Sequence, residues 1–182
     1  MNRFIICTLI LPLLLLGAGR GSLTTTQDHQ LTRLDKLAHY IRYAVSKDQQ
    51  SSCTPKQHDE SYHIASALLT EGGSNTLPLI AIAQVESTFN PRAIGDGGSS
   101  LYMFQIQPAH WGKVHSNVYL QTRKAHQIFT SLRKNLLLPN ATARWNGSGA
   151  ASYRYSNRVL VVISNLKRGL LPNDKNKNIR TS

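Results

Sequence analysis

From Leu79 to Val85 the chain is apolar at every position but Gln84, and the run delivers one acid, Glu86, to its C-terminal end. The stretch Ala81 to Ala93 is the one the rest of the chain is organised around. Ser87 follows the acid directly. Asn90-Pro91 is a stop signal, because the residue before a proline is pushed out of the α region. A carboxylate at a helix C-terminus meets the negative end of the helix dipole. That placement favours the protonated acid, and so does burial among Ile82, Val85 and Phe89. A carboxylic acid kept neutral near pH 7 can serve as a general acid. The competing reading is a surface Glu at a frayed helix end.

The remaining elements read mostly as helices. Leu31, Leu34, Leu37, Ile41 and Ala44 recur at helical spacing, so residues 28–48 predict an amphipathic helix that either packs on the domain or forms a stalk. Residues 49–57 are polar, contain Pro55 and read as a linker. A helix is expected from Glu60 to Glu71, ended by Gly72-Gly73, with Thr76 capping the helix that carries Glu86. Residues 90–100 form a Gly-rich loop, and Leu101 to Gln107 a short apolar run. Further helices are expected over Val118 to Leu137, Asn140 to Trp145, and Ala150 to Lys167, the last capped by Gly169. Strand signals are few and repeats absent, so the fold class is mainly α.

The N-terminus reads differently. Arg3 precedes an almost wholly apolar run from Phe4, and Gly17-Ala18-Gly19 offers small residues to a signal peptidase. At about 16 residues the run is short for a membrane span, which needs roughly 20. Residues 1–19 therefore read as a secretory signal, with an uncleaved anchor as the alternative and contact with a membrane only through it. Its removal lowers the formal charge from +12 to +11. Such basicity suits anionic cell wall, anionic lipid or nucleic acid, and does not choose between them. Of the two cysteines, Cys7 lies in the signal, which leaves Cys53 alone and excludes a disulfide framework. Residues 20–59 read as an N-terminal helix and linker, 60–169 as the main domain, and 170–182 as a polar, basic, disordered tail.

Residues 90–100 lack the lysine and the strand context of a phosphate-binding loop. The seven histidines are scattered without metal-ligand spacing, so neither a metal nor a cofactor is expected. After Glu86 the only acids are Asp96 and Asp174, and Asp174 is in the tail.

The order of the pieces resembles a known family. Glu86-Ser87, Phe89-Asn90-Pro91 and Ala93 are followed by a Gly-rich loop and Gln105. Then come Arg144-Trp145-Asn146-Gly147-Ser148-Gly149 and a helix with Tyr155 and Val159 in a Tyr-x-x-x-Val spacing. Over about residues 60–168 this is similar to the soluble lytic transglycosylase domain. The resemblance implies a single domain of lysozyme-like, goose-type α fold. It also implies cleavage of peptidoglycan between N-acetylmuramic acid and N-acetylglucosamine, with Glu86 as the single catalytic acid and base. The substrate's own acetamido oxygen would assist, and a 1,6-anhydro ring would close.

The same resemblance implies supporting roles. Ser87 would bond the acid or the substrate, Gln105 and Asn146 would bond sugar, and the Tyr155 hydroxyl would reach Glu86. Two departures stand out. Tyr102 occupies a place where the family has glycine, so either the backbone there needs no positive φ or Tyr102 is a stacking platform for sugar. Trp145 replaces the usual tyrosine.

Two readings compete with the transglycosylase. One is a hydrolase of the same fold in which Asp96 activates water, feasible if the two carboxyls face each other at about 6.5–9.5 Å. Against it, Asp96 reads as a loop residue bonding its own backbone. The other is a non-catalytic wall-binding or assembly module, which the intact Glu86 disfavours. A nucleic-acid partner is not expected, since no binding motif appears. Small secreted enzymes of this type resemble the wall-opening enzymes of conjugation, secretion and pilus systems and of phages. The expected location is periplasmic or extracellular.

Overall fold

The computed structural model describes residues 25–49 and 54–168, and the side chains of 33–48 and 54–168. The signal segment, Cys53, the Gly169 cap and the basic tail lie outside the described residues. Among the described residues are seven helices, one small hairpin, and no helix long and apolar enough to cross a membrane. The mainly α class agrees with the expectation.

Helix α3 (Thr76–Ser87) is the hub. Five consecutive residues, Leu79 to Ala83, are buried. A helix that is apolar all round must be enclosed by other elements. The enclosing ones are α2 (Pro55–Glu71), α5 (Val118–Arg133) and α7 (Ala150–Lys167). α1 (Thr25–Gln49) closes the remaining side, with Leu37, Ile41 and Ala44 buried. The Tyr40 ring meets Phe89 edge-on at 6.2 Å, and its hydroxyl donates to Gln84 on α3. The first helix is thus core and not a stalk.

Several boundaries differ from the expectation. α2 starts at Pro55, inside the expected linker. Thr54 and Gln57 form a reciprocal capping box: Gln57 N–H donates to Thr54 Oγ1 at 3.3 Å, and Thr54 N–H to Gln57 Oε1 at 2.7 Å. Proline at the first helical position fits this start, because its missing N–H would be unsatisfied there anyway. Thr76 does not cap α3. Its hydroxyl donates back to Gly73 O at 2.8 Å, while Asn75 holds the cap position. α5 ends at Arg133, and α6 (Leu138–Trp145) begins earlier than Asn140, with Pro139 in its first turn.

The end of α3 is the main local surprise. The helix stops at Ser87 because Thr88 and Phe89 both take left-handed backbone, at φ 51° and 62°. The proline stop signal lies two residues further on. Left-handed backbone is unfavourable for a β-branched or aromatic residue. Phe89, fully buried, holds the turn in place. The N–H groups of Thr88 and Phe89 donate to Gln84 O and Ala83 O and close the helix end.

The Gly-rich loop is a hairpin. β1 (Ile94–Gly95) pairs antiparallel with β2 (Ser100–Leu101), with Gly95 opposite Ser100. Fully buried Gln121 of α5 pins the returning chain. Its side chain accepts from Met103 N–H at 3.2 Å and donates to Pro91 O at 3.1 Å and Ser116 O at 2.8 Å. The short helix α4 (Pro108–Trp111) follows.

Candidate active site

Glu86 occupies the last turn of α3 and opens into a cleft of about 840 Å³. One wall is the hairpin side, with Asp96 and Gln105. The opposite wall is the end of α6 and the face of α7, with Trp145, Asn146 and Arg158. α3 thus supplies the acid, and elements remote in sequence supply its surroundings.

Two donors converge on one carboxylate oxygen. Tyr155 Oη donates to Glu86 Oε1 at 2.7 Å, and Trp145 Nε1 donates to the same atom at 3.1 Å. Among the described residues no donor reaches Oε2. Burial pushes the Glu86 carboxyl from the ordinary 4.5 up to about 7. The Tyr155 and Trp145 hydrogen bonds and the Arg158 charge oppose that push, and the Asp96 charge adds to it. Desolvation wins because two hydrogen bonds replace only part of a carboxylate's hydration. Burial and the Glu86 charge hold the Tyr155 phenol well above its ordinary range, so it remains a donor.

Gln105 reaches the cleft through a strained turn. Its backbone is left-handed at φ 48°, and its Nε2 donates to Tyr102 O at 2.8 Å. Gly95 makes room for it: a Cβ there would lie 2.1 Å from Gln105 Oε1. Asn146 lines the cleft from the opposite side.

Other expected site residues sit elsewhere. Ser87 does not line this cleft but a separate pocket of about 270 Å³. Its hydroxyl donates to Met103 O at 2.8 Å and accepts from Asn90 N–H at 3.1 Å, so it ties the helix end to the hairpin. Tyr102 takes positive φ, 64°, as the glycine it replaces would. Its ring is partly buried against the core and is not among the residues that line the cleft. Asp96 does face the cleft. Its carboxylate accepts from Ser100 Oγ and does not bond its own backbone.

Sequence reasoning missed four contributors. The Trp145 indole replaces the tyrosine hydroxyl with an N–H donor, a substitution visible in the sequence whose geometry was not. Arg158 lies three residues beyond Tyr155 on the same face of α7, a spacing that was readable. Its guanidinium sits 5.7 Å over the Tyr155 ring. His110 and Trp111 line the far end of the cleft from a turn of helix that periodicity does not reveal. Among the described residues no group of three His, Cys, Asp or Glu side chains could hold a metal ion.

Comparison with known proteins gives one match: residues 64–135 fit the family model described as the transglycosylase SLT domain. The match spans α3, the hairpin and Gln105, and stops before Trp145, Asn146 and Tyr155. Neither the curated proteins nor the solved structures searched show a match.

Proposed function

We propose that this chain, which belongs to the transglycosylase SLT family through residues 64–135, cuts the bond between N-acetylmuramic acid and N-acetylglucosamine and leaves 1,6-anhydro ends, as a carbon–oxygen lyase. The observation that carries the reading is the Glu86 carboxyl in the cleft, pushed up to about 7 by burial, with one oxygen anchored by two donors and the other unanchored.

Each step follows from that arrangement. Glu86 enters protonated, and Oε2 is the oxygen with a proton to give. It protonates the leaving glycosidic oxygen. The acetamido oxygen of the muramic acid residue attacks the anomeric carbon from the opposite face as the glycosidic bond breaks. Glu86, now ionised, keeps its Oε1 bonds to Tyr155 and Trp145. Its Oε2 then takes the proton from the 6-hydroxyl, whose oxygen displaces the acetamido oxygen and closes the ring. The acid is regenerated and no water is consumed. Gln105 and Asn146, on opposite walls, hold the sugars. No cofactor takes part.

The test is digestion of purified peptidoglycan in ¹⁸O-labelled water, read by mass spectrometry. Unlabelled 1,6-anhydro ends are expected. Labelled reducing ends would replace this reading with hydrolysis. That second reading has one observation in its favour, the Asp96 carboxylate in the same cleft. Asp96→Asn should change turnover less than about threefold in the lyase and abolish it in a hydrolase that needs the second carboxylate.

The chain is further proposed to act in the periplasm or outside the cell, for a conjugation, secretion, pilus or phage system. The support is the Arg3, apolar-run and Gly17-Ala18-Gly19 pattern. N-terminal sequencing of exported protein should return a start near Arg20, and recovery of intact Met1 in the membrane would indicate an anchor instead.

A further inference from the structure

Charge is divided unevenly along this chain. Residues 1–96 carry eight Lys and Arg against eight Asp and Glu, and residues 97–182 carry thirteen against one. The whole formal charge of +12 therefore arises after Asp96. The division persists in the fold. α1 and α2 hold five basic residues and six acidic ones, whereas α5, α6 and α7 hold seven basic residues and no acid. A surface that is merely solvated intersperses both signs.

On α7 the cations are in register. Arg154, Arg158, Val161 and Arg168 are spaced by four, three and seven residues, so they share one face, opposite buried Val159 and Ile163. All four are exposed. At 1.5 Å per residue the row is about 21 Å long. Among the described residues none of its arginines takes part in an ion pair. Arg168 donates to the uncharged Asn165 side chain at 2.6 Å, and Arg158 lies over the Tyr155 ring. Arg158 also lines the Glu86 cleft, but Arg154, Val161 and Arg168 do not, so most of the row is apart from the substrate path. Past Arg168 the sequence adds Lys175, Lys177 and Arg180 against Asp174 alone.

Two apolar side chains accompany the cations. Val161, 59% exposed, lies within the row, and Tyr153, 62% exposed, lies beside it. A polyanion makes no use of either. A bilayer does: the aliphatic group enters below the phosphates, the tyrosine ring sits at headgroup level, and the guanidinium groups bond phosphate.

We propose that this face of α7 docks on an anionic lipid bilayer, as a membrane contact separate from the N-terminal segment. It is independent of the peptidoglycan reading, because docking needs no turnover.

The test is sedimentation of the full chain with vesicles of phosphatidylcholine alone and of phosphatidylcholine mixed with phosphatidylglycerol. The partition coefficient should be about a hundredfold greater on the mixed vesicles at low salt, and the difference should shrink as salt is added. The apolar residues 4–19 raise both coefficients alike, so the ratio reads charge. Arg154→Gln combined with Arg168→Gln should lower the coefficient on mixed vesicles about twentyfold and leave that on phosphatidylcholine unchanged. Both side chains are exposed, so thermal unfolding should not move. Equal coefficients on the two vesicles would overturn the proposal, as would a double variant that partitions like wild type. Val161→Ser separates a bilayer from a polyanion. It should weaken partition onto mixed vesicles about threefold and leave elution from a heparin column unchanged. No loss on vesicles would make the face a general polyanion site and overturn the bilayer.

Discussion

Glu86→Gln should fold normally and retain under about 1% of wild-type turnover. Glutamine keeps the shape of the side chain, and its carbonyl oxygen can still accept from Tyr155 and Trp145. It cannot give a proton to a leaving oxygen or take one from a 6-hydroxyl. Activity near wild type would remove Glu86 from the chemistry. The same substitution should alter the pH dependence of stability. The native carboxyl titrates near 7 against an ordinary 4.5. Between those values the native protein holds a proton that the unfolded chain has lost. Its contribution is therefore full below about 4.5 and is lost as the pH rises through 7. The difference amounts to about 3 kcal/mol at most. Glutamine does not titrate, so the variant should match wild type near pH 4 and be the more stable protein above pH 7. Thermal unfolding across that range reads the effect, and parallel curves would mean that the carboxyl is not raised. Wild-type turnover should fall above about pH 7, as the acid form is depleted.

Tyr155→Phe should lower turnover about 10–1,000-fold, or about 1.4–4 kcal/mol of barrier, with little loss of stability. The ring is buried against the core, and phenylalanine preserves it together with its contact to the Arg158 guanidinium. Only the 2.7 Å bond to Glu86 Oε1 disappears. A purely structural tyrosine would cost about 1 kcal/mol or less and leave turnover unchanged. The pH profile separates the two roles. Losing a donor to the carboxylate raises the Glu86 pKa further, so the alkaline limb of the rate profile should move to higher pH. Trp145→Phe removes the other donor to the same oxygen and should move that limb in the same direction.

How much of this was legible in the sequence varied with the kind of interaction. Helices show through local periodicity, so α1, α2, α3, α5 and α7 were readable, and errors fell at their ends. Thr54 and Gln57 spell a capping box, but Pro55 between them drew the reading towards a linker. Loop geometry is set by partners far away. Nothing near Tyr102 says that it takes a left-handed conformation, because that strain is carried by the hairpin and by Gln121. Ser87 looked like a site residue because it adjoins Glu86, yet its hydroxyl is turned to the backbone of the returning chain. The pairing of Glu86 with Tyr155 was reachable only through a family resemblance. The second donor was hidden because an indole at the tyrosine position reads as a plain aromatic exchange.

The two hydrogen bonds to Glu86 span sequence separations of 59 and 69 residues. Contacts that distant form only after the intervening chain has collapsed. Before α6 and α7 dock, Glu86 is a solvated carboxylate at the end of a helix, ionised at neutral pH and with no proton to give. The reactive acid is therefore a late product of folding, and an incompletely folded chain can carry every residue of the site without being able to cut a glycan.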